Sequence, residues 1–563
     1  MSLIPQDLTP VYKATIAKGI GATRWQRPTY INHLPPCNST CPAGLDIQGW
    51  LALAAAGQYE PAWRKYMDDN PLPAIHGRAC YHPCEAACNR GSLDLPVAIH
   101  SLDRFLGDIA IEQGWTIPVG APTGKRVLVI GGGPAGLSCA YHLRRLGHTV
   151  EIRDSGDEPG GMMRYGIPAY RLPRDSITKE IARIEAMGVN LVCNHRVSDV
   201  LAERTEGCFD AVFVAIGTHV ANHLSVSAGD GAKIVDAITL LEQVEKGRAP
   251  VIGRVVGIVG GGDTAMDAAR VAKRLGAEQA VLIFRFDKAH MEARPYEAME
   301  AFAEGVKIKW LSTVKRFDRD DVVIERMAMT PDGTACEGTG QFERLKADSL
   351  VLAVGQHADV EFLKTIPAVK VGPGDVVEVD AAMSTGHRGI FAGGDLIGGA
   401  RTMTTAVGHG KKAARNIDSF LRSEVYKRAE KHPVIHFEAL NLPVFFDAPQ
   451  QEPPKVPVAE RKGFEEVMQG LTAAEARYEA QRCLSCGNCF ECDNCYAACP
   501  EQAIIKLGPG RGYRIDYDLC SGCAVCFEQC PCHAIEMAAE PAVEIAPGLM
   551  GEPTSPPRFK VRP

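Results

Sequence analysis

Residues 489–500 and 520–531 carry one pattern twice, and few folds accommodate it. Cys489, Cys492, Cys495 and Cys499-Pro500 match Cys520, Cys523, Cys526 and Cys530-Pro531, each displaced by 31 residues. Ala503-Ile504 and Ala534-Ile535 repeat at the same displacement, and Gly508 to Gly512 supply the turn between the halves. Three thiolates at two-residue spacings reach one four-iron cubane, and the fourth, ahead of a proline, crosses to the neighbouring cubane. Cluster one is therefore predicted on Cys489, Cys492, Cys495 and Cys530, and cluster two on Cys520, Cys523, Cys526 and Cys499. Zinc sites use CxxC pairs, and groups of three plus a distant fourth do not supply them. Cys532, just past the motif, is expected to ligate nothing, as are Cys139, Cys193, Cys208 and Cys336.

The other cysteines support a metal reading. The chain has 563 residues and 20 cysteines, five of them between 37 and 88 and eleven between 483 and 532. The start, Met-Ser-Leu-Ile-Pro-Gln-Asp, lacks the basic and apolar regions of a signal peptide, and no apolar run is long enough to span a bilayer. A cytoplasmic protein is expected, where such thiols bind metal rather than form disulfides. The net charge of −7, with no Lys/Arg stripe, argues against nucleic acid.

Two stretches read as dinucleotide sites. Val127 to Ile130 is a buried strand, and Gly131, Gly133 and Gly136 follow at G-x-G-x-x-G spacing, with Pro134 and Ala135 between them. The first glycine makes the turn, the second admits a pyrophosphate, and the third lets helix pack on strand. A helix from Leu137 to Leu146 points its N-terminus at the phosphates. A strand, Thr149 to Arg153, ends at Asp154, where an acid holds a ribose hydroxyl. The second stretch is the strand Val255 to Val259, then Gly260, Gly262, Asp263 and Thr264, with Ala265 where a third glycine would stand. A helix to Leu275 and a strand from Gln279 to Arg285 follow. Two such units suggest two nucleotides, a flavin dinucleotide at the first and a nicotinamide dinucleotide at the second.

Other segments are punctuated around these. Cys37, Cys41, Cys80, Cys84 and Cys88 lie among short helices: one capped by Asp46, one opened near Pro61, and one from about Pro96 to Gln113. Gly160-Gly161-Met162-Met-Arg164 is a glycine-rich loop. Strands are expected at Val212 to Ile216, ending at Gly217; at Ser349 to Val354, ending at Gly355; and at Ile390 to Ala392, ending at Gly393-Gly394-Asp395. A helix from Arg401 to Asn416 opens in Thr402, Thr404 and Thr405, and its N-terminus suits the electron-rich edge of a flavin. Residues 424 to 470 are rich in proline and charge without periodicity. Thr472 to Arg482 reads as helix.

Together these motifs name a resemblance. Cys80 to Arg104, the Gly-Gly-Met-Met-Arg-Tyr-Gly-Ile-Pro loop, Gly-Gly-Gly-Asp-Thr-Ala-Met-Asp and Phe-Ala-Gly-Gly-Asp resemble the small subunit of bacterial glutamate synthase, over about residues 35 to 423. The N-terminal part of dihydropyrimidine dehydrogenase is similar. The end of the chain is similar to bacterial two-cluster ferredoxins. The resemblance implies a multidomain α/β protein. Residues 1–120 would be a helical domain with two 4Fe–4S clusters, 121–250 and 381–423 an FAD domain, and 251–380 an NAD(P) domain inserted in it. Residues 424–480 would be a wrapping linker, and 481–563 a two-cluster ferredoxin domain with an extended tail. FAD would contact Gly131, Gly133, Pro134, Ala135, Gly136, Asp154, Gly161, Met162, Arg164, Gly217, Gly394, Asp395, Thr404 and Thr405. The nicotinamide nucleotide would contact Gly260, Gly262, Asp263, Thr264, Arg285, Asp287 and Gly355.

There are two departures from the family's pattern. Its NADPH-using members carry two adjacent arginines where this chain has Arg285, Phe286 and Asp287. A carboxylate there repels a 2′-phosphate, so NAD(H) is expected over NADP(H). The family also opens with a CxxC pair upstream of the cysteine matching Cys37, and here that pair is missing. The resemblance assigns Cys41, Cys80, Cys84 and Asp103 to one N-terminal cluster. It assigns the missing pair, Cys37 and Cys88 to the other. Cys483 and Cys486, an extra CxxC ahead of the ferredoxin motif, are expected to stand in for the pair, giving four clusters.

The function implied is an FAD- and iron–sulfur-dependent NAD(H) oxidoreductase subunit. It would exchange electrons with a partner iron–sulfur enzyme, such as a 2-oxoacid:acceptor oxidoreductase, without a catalytic acid–base pair. Three alternatives are the electron-input subunit of glutamate synthase, a non-catalytic ferredoxin-bearing scaffold, and a self-contained reductase of a small molecule. Partners would be other subunits of a redox complex, with no nucleic acid and no membrane insertion.

Overall fold

The computed structural model describes residues 24–224, 226–229, 231–427 and 430–540. The expected extended tail lies outside them. The chain divides into a larger unit, residues 36–431 with 447–483, and a smaller unit, residues 1–35, 432–446 and 484–563.

The larger unit opens with helices Ile47–Ala55, Tyr59–Met67, Pro73–Ala79 and Ile99–Glu112. Asp46 caps the first, its carboxylate accepting from Gly49 N. Trp50, Trp63, Tyr66, Met67, Leu72 and Ile75 are fully buried among these helices. Gly107 makes a close crossing possible, since a Cβ there would meet Ala74 N at 2.1 Å.

Two parallel five-stranded sheets follow. The first runs Ile390–Ala392, Ala211–Val214, Arg126–Ile130, Thr149–Arg153, Asn190–Val192. The second runs Lys307–Lys309, Gln279–Ile283, Val255–Val259, Ser349–Leu352, Ile234–Asp236. Their central strands, Arg-Val-Leu-Val-Ile and Val-Val-Gly-Ile-Val, are buried on both faces, which is why they read as continuous apolar runs. The chain leaves the first sheet after Val214, builds the second, and returns at Ile390, so one doubly wound domain is inserted in another. Each first glycine sits at positive φ, Gly131 at 107° and Gly260 at 142°, where a side chain would strike a carbonyl.

The structure departs from the sequence reading in three places. A four-stranded sheet of Cys336–Lys346, Asp321–Met329, Ser312–Asp318 and Ser227–Ala228 was not expected. The helix expected to end at Asn416 runs Met403–Arg422, because Asn416 is followed by apolar Ile417, which is buried, and no breaker intervenes. Residues 24–35 do not belong with the helical N-terminal segment. Gln26–Tyr30 pairs antiparallel with Ile535–Ala539 in the smaller unit. There, Ile504–Lys506 pairs with Tyr513–Ile515, while its 31-residue counterpart at Ile535 pairs with Gln26–Tyr30. The two short helices of the repeat, Asn494–Ala498 and Val525–Glu528, both start after a left-handed residue, Asp493 and Ala524.

Residues 447–471 wrap the larger unit. Ala448 N donates to Asp94, Gln450 Nε2 to Pro96 O, and Val467 N to Tyr170 O. Arg461 reaches Glu300 and Glu304. Helix Ala473–Gln481 carries a capping box between Thr472 and Glu475, and Cys483 closes the unit. The boundary expected at 481 thus falls after Cys483. No helix among the described residues is long and apolar enough to cross a membrane.

Candidate active site and metal centres

The carboxyl ends of the first sheet open on a cavity of about 400 Å³. Gly131, Gly133, Pro134, Ala135, Asp154, Gly161, Met162, Gly217, Gly394 and Asp395 line it, ten of the fourteen residues expected at FAD. At Gly133 an added Cβ would meet only Gly161 Cα, 4.0 Å away, so the helix N-terminus at Pro134 stands clear for phosphate. At Gly136 the same atom would lie 1.9 Å from Gly131 O, which makes this the packing glycine. Asp154 accepts from Gly132 N at 2.5 Å and Gly156 N at 2.6 Å, so it also braces the glycine turn. Burial raises the Asp395 carboxyl, against the pull of Arg401.

Four expected residues do not line the cavity. Gly136 is the packing position just described. Arg164 is buried, donating to Pro159 O and Thr178 Oγ1. Thr405 gives its N–H to Thr402 Oγ1, so the true cap is Thr402, which lines the cavity with Met403. Thr404 meets Cys80, Sγ to Oγ1 at 3.0 Å. Arg153, His195, Arg196 and Thr218 also line the cavity and were missed, the first and last as neighbours of Asp154 and Gly217, the other two on a loop with no motif.

The second glycine turn has a similar cradle. A Cβ at Gly262 would meet only Glu292 Oε2, at 3.8 Å, while Asp263 accepts from Arg294 N. Thr264 stands in the first turn of helix Asp263–Arg274. Gly355 takes φ 95°, its place beside Asn222. Past the neighbouring strand, Arg285 stacks on Phe286, the guanidinium carbon 4.7 Å from the ring centroid. Asp287 is already occupied: Oδ1 accepts from Ala289 N and pairs with His290 Nδ1 at 2.7 Å, capping the turn Lys288–His290. The His290 hydrogen bond lowers the Asp287 carboxyl, and Asp287 raises the imidazole.

In the helical segment, Cys41, Cys80, Cys84 and Asp103 converge. Burial pushes up all three thiols, Cys80 to about 12, and each also feels the charge of Asp103. Asp103 is 6% exposed, and its Oδ1 has no hydrogen-bond partner. A buried carboxylate oxygen among three thiols, one of them buried, is costly unless a cation sits there, so these four residues fit a cluster. His82 N donates to Cys80 Sγ at 3.3 Å. Lys411 Nζ, held by Asp69 at 2.9 Å, adds positive charge near Cys41.

Cys37, Cys88 and Cys483 all belong to the larger unit and pack on one core. Arg90, two residues past Cys88, donates to Arg482 O at 3.1 Å, bringing the residue before Cys483 beside that turn. Cys486 belongs to the smaller unit.

In the smaller unit, Cys499, Cys520, Cys523 and Cys526 line one small cavity. Cys489, Cys492, Cys495 and Cys530 lie within electrostatic reach of one another. Cys532 joins that second group, its Sγ 3.8 Å from Cys530 Sγ. Hydrogen bonding between the two drives Cys530 down and Cys532 up. Of the other four cysteines, Cys139 is buried in the core of helix Pro134–Arg145, and Cys208 is exposed. Among the described residues no cysteine forms a disulfide.

Comparison with known proteins agrees with this arrangement. Residues 125–410 match the model of the pyridine nucleotide-disulphide oxidoreductase family, and residues 26–115 that of dihydropyrimidine dehydrogenase domain II, 4Fe–4S cluster. The NADP(+)-dependent formate dehydrogenase subunit beta of Moorella thermoacetica is 36% identical over 80% of this chain and 70% of its own. The NADPH-Fe(3+) oxidoreductase subunit beta of Geobacter sulfurreducens is 31% identical, over 80% and 75%. The NAD-dependent dihydropyrimidine dehydrogenase subunit PreT of Salmonella typhimurium is 30% identical, over 69% and 92%. The chain is thus a member of the pyridine nucleotide-disulphide oxidoreductase family, a flavoprotein oxidoreductase of the glutamate synthase small-subunit type with nicotinamide-nucleotide and 4Fe–4S sites.

Proposed function

We propose that the chain is the electron-exchanging flavoprotein subunit of an iron–sulfur redox complex, linking a nicotinamide nucleotide to a partner enzyme. The observation that carries the reading is the contact of Cys80 Sγ with Thr404 Oγ1, 3.0 Å. Thr404 follows Met403, which lines the flavin cavity, and Cys80 belongs to the Cys41–Cys80–Cys84–Asp103 set. One side-chain contact therefore joins the two centres. A bound flavin exchanges hydride with a nicotinamide and single electrons with clusters. The chain's own residues position and insulate. Gly133 and Gly262 leave room for phosphates, Thr402 fixes the helix start beneath the cavity, and Lys411 biases the charge around Cys41. No general acid or base is required.

The partner is proposed to be an iron–sulfur enzyme acting on a small oxidisable substrate, of the class that includes 2-oxoacid oxidoreductases; a relative named as a formate dehydrogenase subunit supports that class. Four clusters are proposed. The twin clusters take Cys489, Cys492, Cys495 and Cys530, and Cys520, Cys523, Cys526 and Cys499. The N-terminal pair takes Cys41, Cys80, Cys84 and Asp103, and Cys37, Cys88, Cys483 and Cys486. The last set rests on sequence for Cys486. NAD(H) remains the proposed nucleotide, on the carboxylate of Asp287. Because His290 offsets that charge, and relatives named for NADP and for NAD both occur, a preference below tenfold is expected.

The test is anaerobic addition of NADH to the purified chain. Bleaching of the flavin followed by electron paramagnetic resonance signals of reduced clusters supports the reading. A scaffold with a vestigial nucleotide site gives neither, and bleaching without cluster signals breaks the proposed link at Cys80.

A further inference from the structure

We propose that His33, His533 and Glu536 bind a divalent first-row transition-metal ion that fastens the N-terminal strand to the twin-cluster repeat. One ligand atom from each residue can be chosen so that all lie within 4.8 Å of one another. His33 is 7% exposed, and neither of its ring nitrogens makes a hydrogen bond. Its Nε2 lies 3.1 Å from Glu536 Oε1. Metal–ligand arms of about 2.0–2.1 Å at a tetrahedral angle hold donor atoms about 3.3 Å apart, close to that separation. The His33 and His533 rings are tilted by 38° with centroids 5.6 Å apart, so they converge without stacking face to face.

The three residues come from rigid surroundings, as a metal site requires. The antiparallel ladder ends at Tyr30–Ile535 and is extended by Ile31 N donating to Ala534 O. His33 N then donates to Gly487 O at 3.0 Å, and a Cβ on Gly487 would meet His33 Cβ at 2.4 Å. His533 takes φ 57° and packs its edge on Phe527. Two imidazoles and a carboxylate, without a thiolate, suit zinc or ferrous iron rather than a soft ion. Glu536, 46% exposed at its side chain, leaves a fourth position toward solvent. The donor set is separate in chemistry from the thiolate clusters, and its residues belong to no motif in the repeat.

The test uses the full chain with its clusters loaded and its iron content monitored. Titration with Co(II) is expected to fill one site per chain, giving visible ligand-field bands without a sulfur-to-metal charge-transfer band, and Zn(II) displaces it. His33→Gln and Glu536→Gln should each weaken cobalt binding at least tenfold, since even outer-shell changes cost 10–100-fold, while flavin and iron stay constant. Zinc or extra iron in the protein as isolated identifies the resident ion. In wild type, chelation should speed amide exchange at Ile31 and His33. No cobalt uptake, a thiolate charge-transfer band, or variants that bind like wild type would overturn the site.

Discussion

Gly133 and Gly136 stand three residues apart in one turn and answer to different constraints. Gly133 faces empty space, so Gly133→Val should fold with the Tm of flavin-free wild type and lose flavin; retention of stoichiometric FAD would refute the phosphate cradle. Gly136 faces Gly131 O, and Gly136→Ala should lower stability by about 1–3 kcal/mol, the usual scale of overpacking, measured as a lower Tm. The packing role of Gly136 was legible from spacing. Asp287 was not, because a sequence shows a carboxylate's charge and hides what it caps. Its pairing with His290 carries a pH signature. Below the raised imidazole pKa, protonated His290 offsets Asp287 and NADPH is tolerated. As pH climbs through that pKa the offset is lost, so the kcat/KM ratio of NADH to NADPH should rise. A ratio flat in pH, or a tenfold NADPH preference, contradicts the reading; Asp287→Asn should flatten the profile and favour NADPH.

At the scale of elements, the strands legible in sequence are those buried on both faces, such as Arg126–Ile130 and Val255–Val259. The exposed strand Cys336–Lys346 was not legible, because almost every side chain faces solvent and no apolar period is written there. Gln26–Tyr30 was missed for a related reason: it is held by its backbone partner and has no face of its own. Helix Ala473–Gln481 was expected over Thr472 to Arg482, and the structure adds what caps and anchors it. Glu479, fully buried, accepts from Ala98 N, Gln451 N and Arg482 Nη1. Glu479→Ala should cost about 3–5 kcal/mol, because it leaves a buried guanidinium with one partner fewer. A Tm within a degree of wild type would show the network is dispensable.

For the whole molecule, the units are stitched from separate lengths of chain, three in the smaller and two in the larger. The grouping of Cys499 with Cys520, Cys523 and Cys526 around one small cavity was legible because their spacing is local. The N-terminal sets were not derivable from spacing and came from the resemblance; only the fold brings Asp103 near Cys41, Cys80 and Cys84. Removing residues past 470 would take a core helix with it, so paired substitution is the cleaner probe. Cys483→Ser with Cys486→Ser should lower iron from about sixteen atoms to about twelve, one cubane's worth, with flavin retained. Unchanged iron would leave Cys37 and Cys88 needing other partners. Cys532→Ala should leave iron unchanged, whereas Cys530→Ala should lose about four atoms.

The pairing of Gln26–Tyr30 with Ile535–Ala539 also sets a clock. The first strand leaves the ribosome about 500 residues ahead of its partner. At about 5–20 residues per second, it waits roughly 25–100 s with an unpaired edge while the flavin and nicotinamide domains are made. The second half of the cysteine repeat therefore gains this pairing only once Ile535–Ala539 has been made. Pulse-labelled chains should acquire flavin before they acquire protease resistance at Gln26–Tyr30.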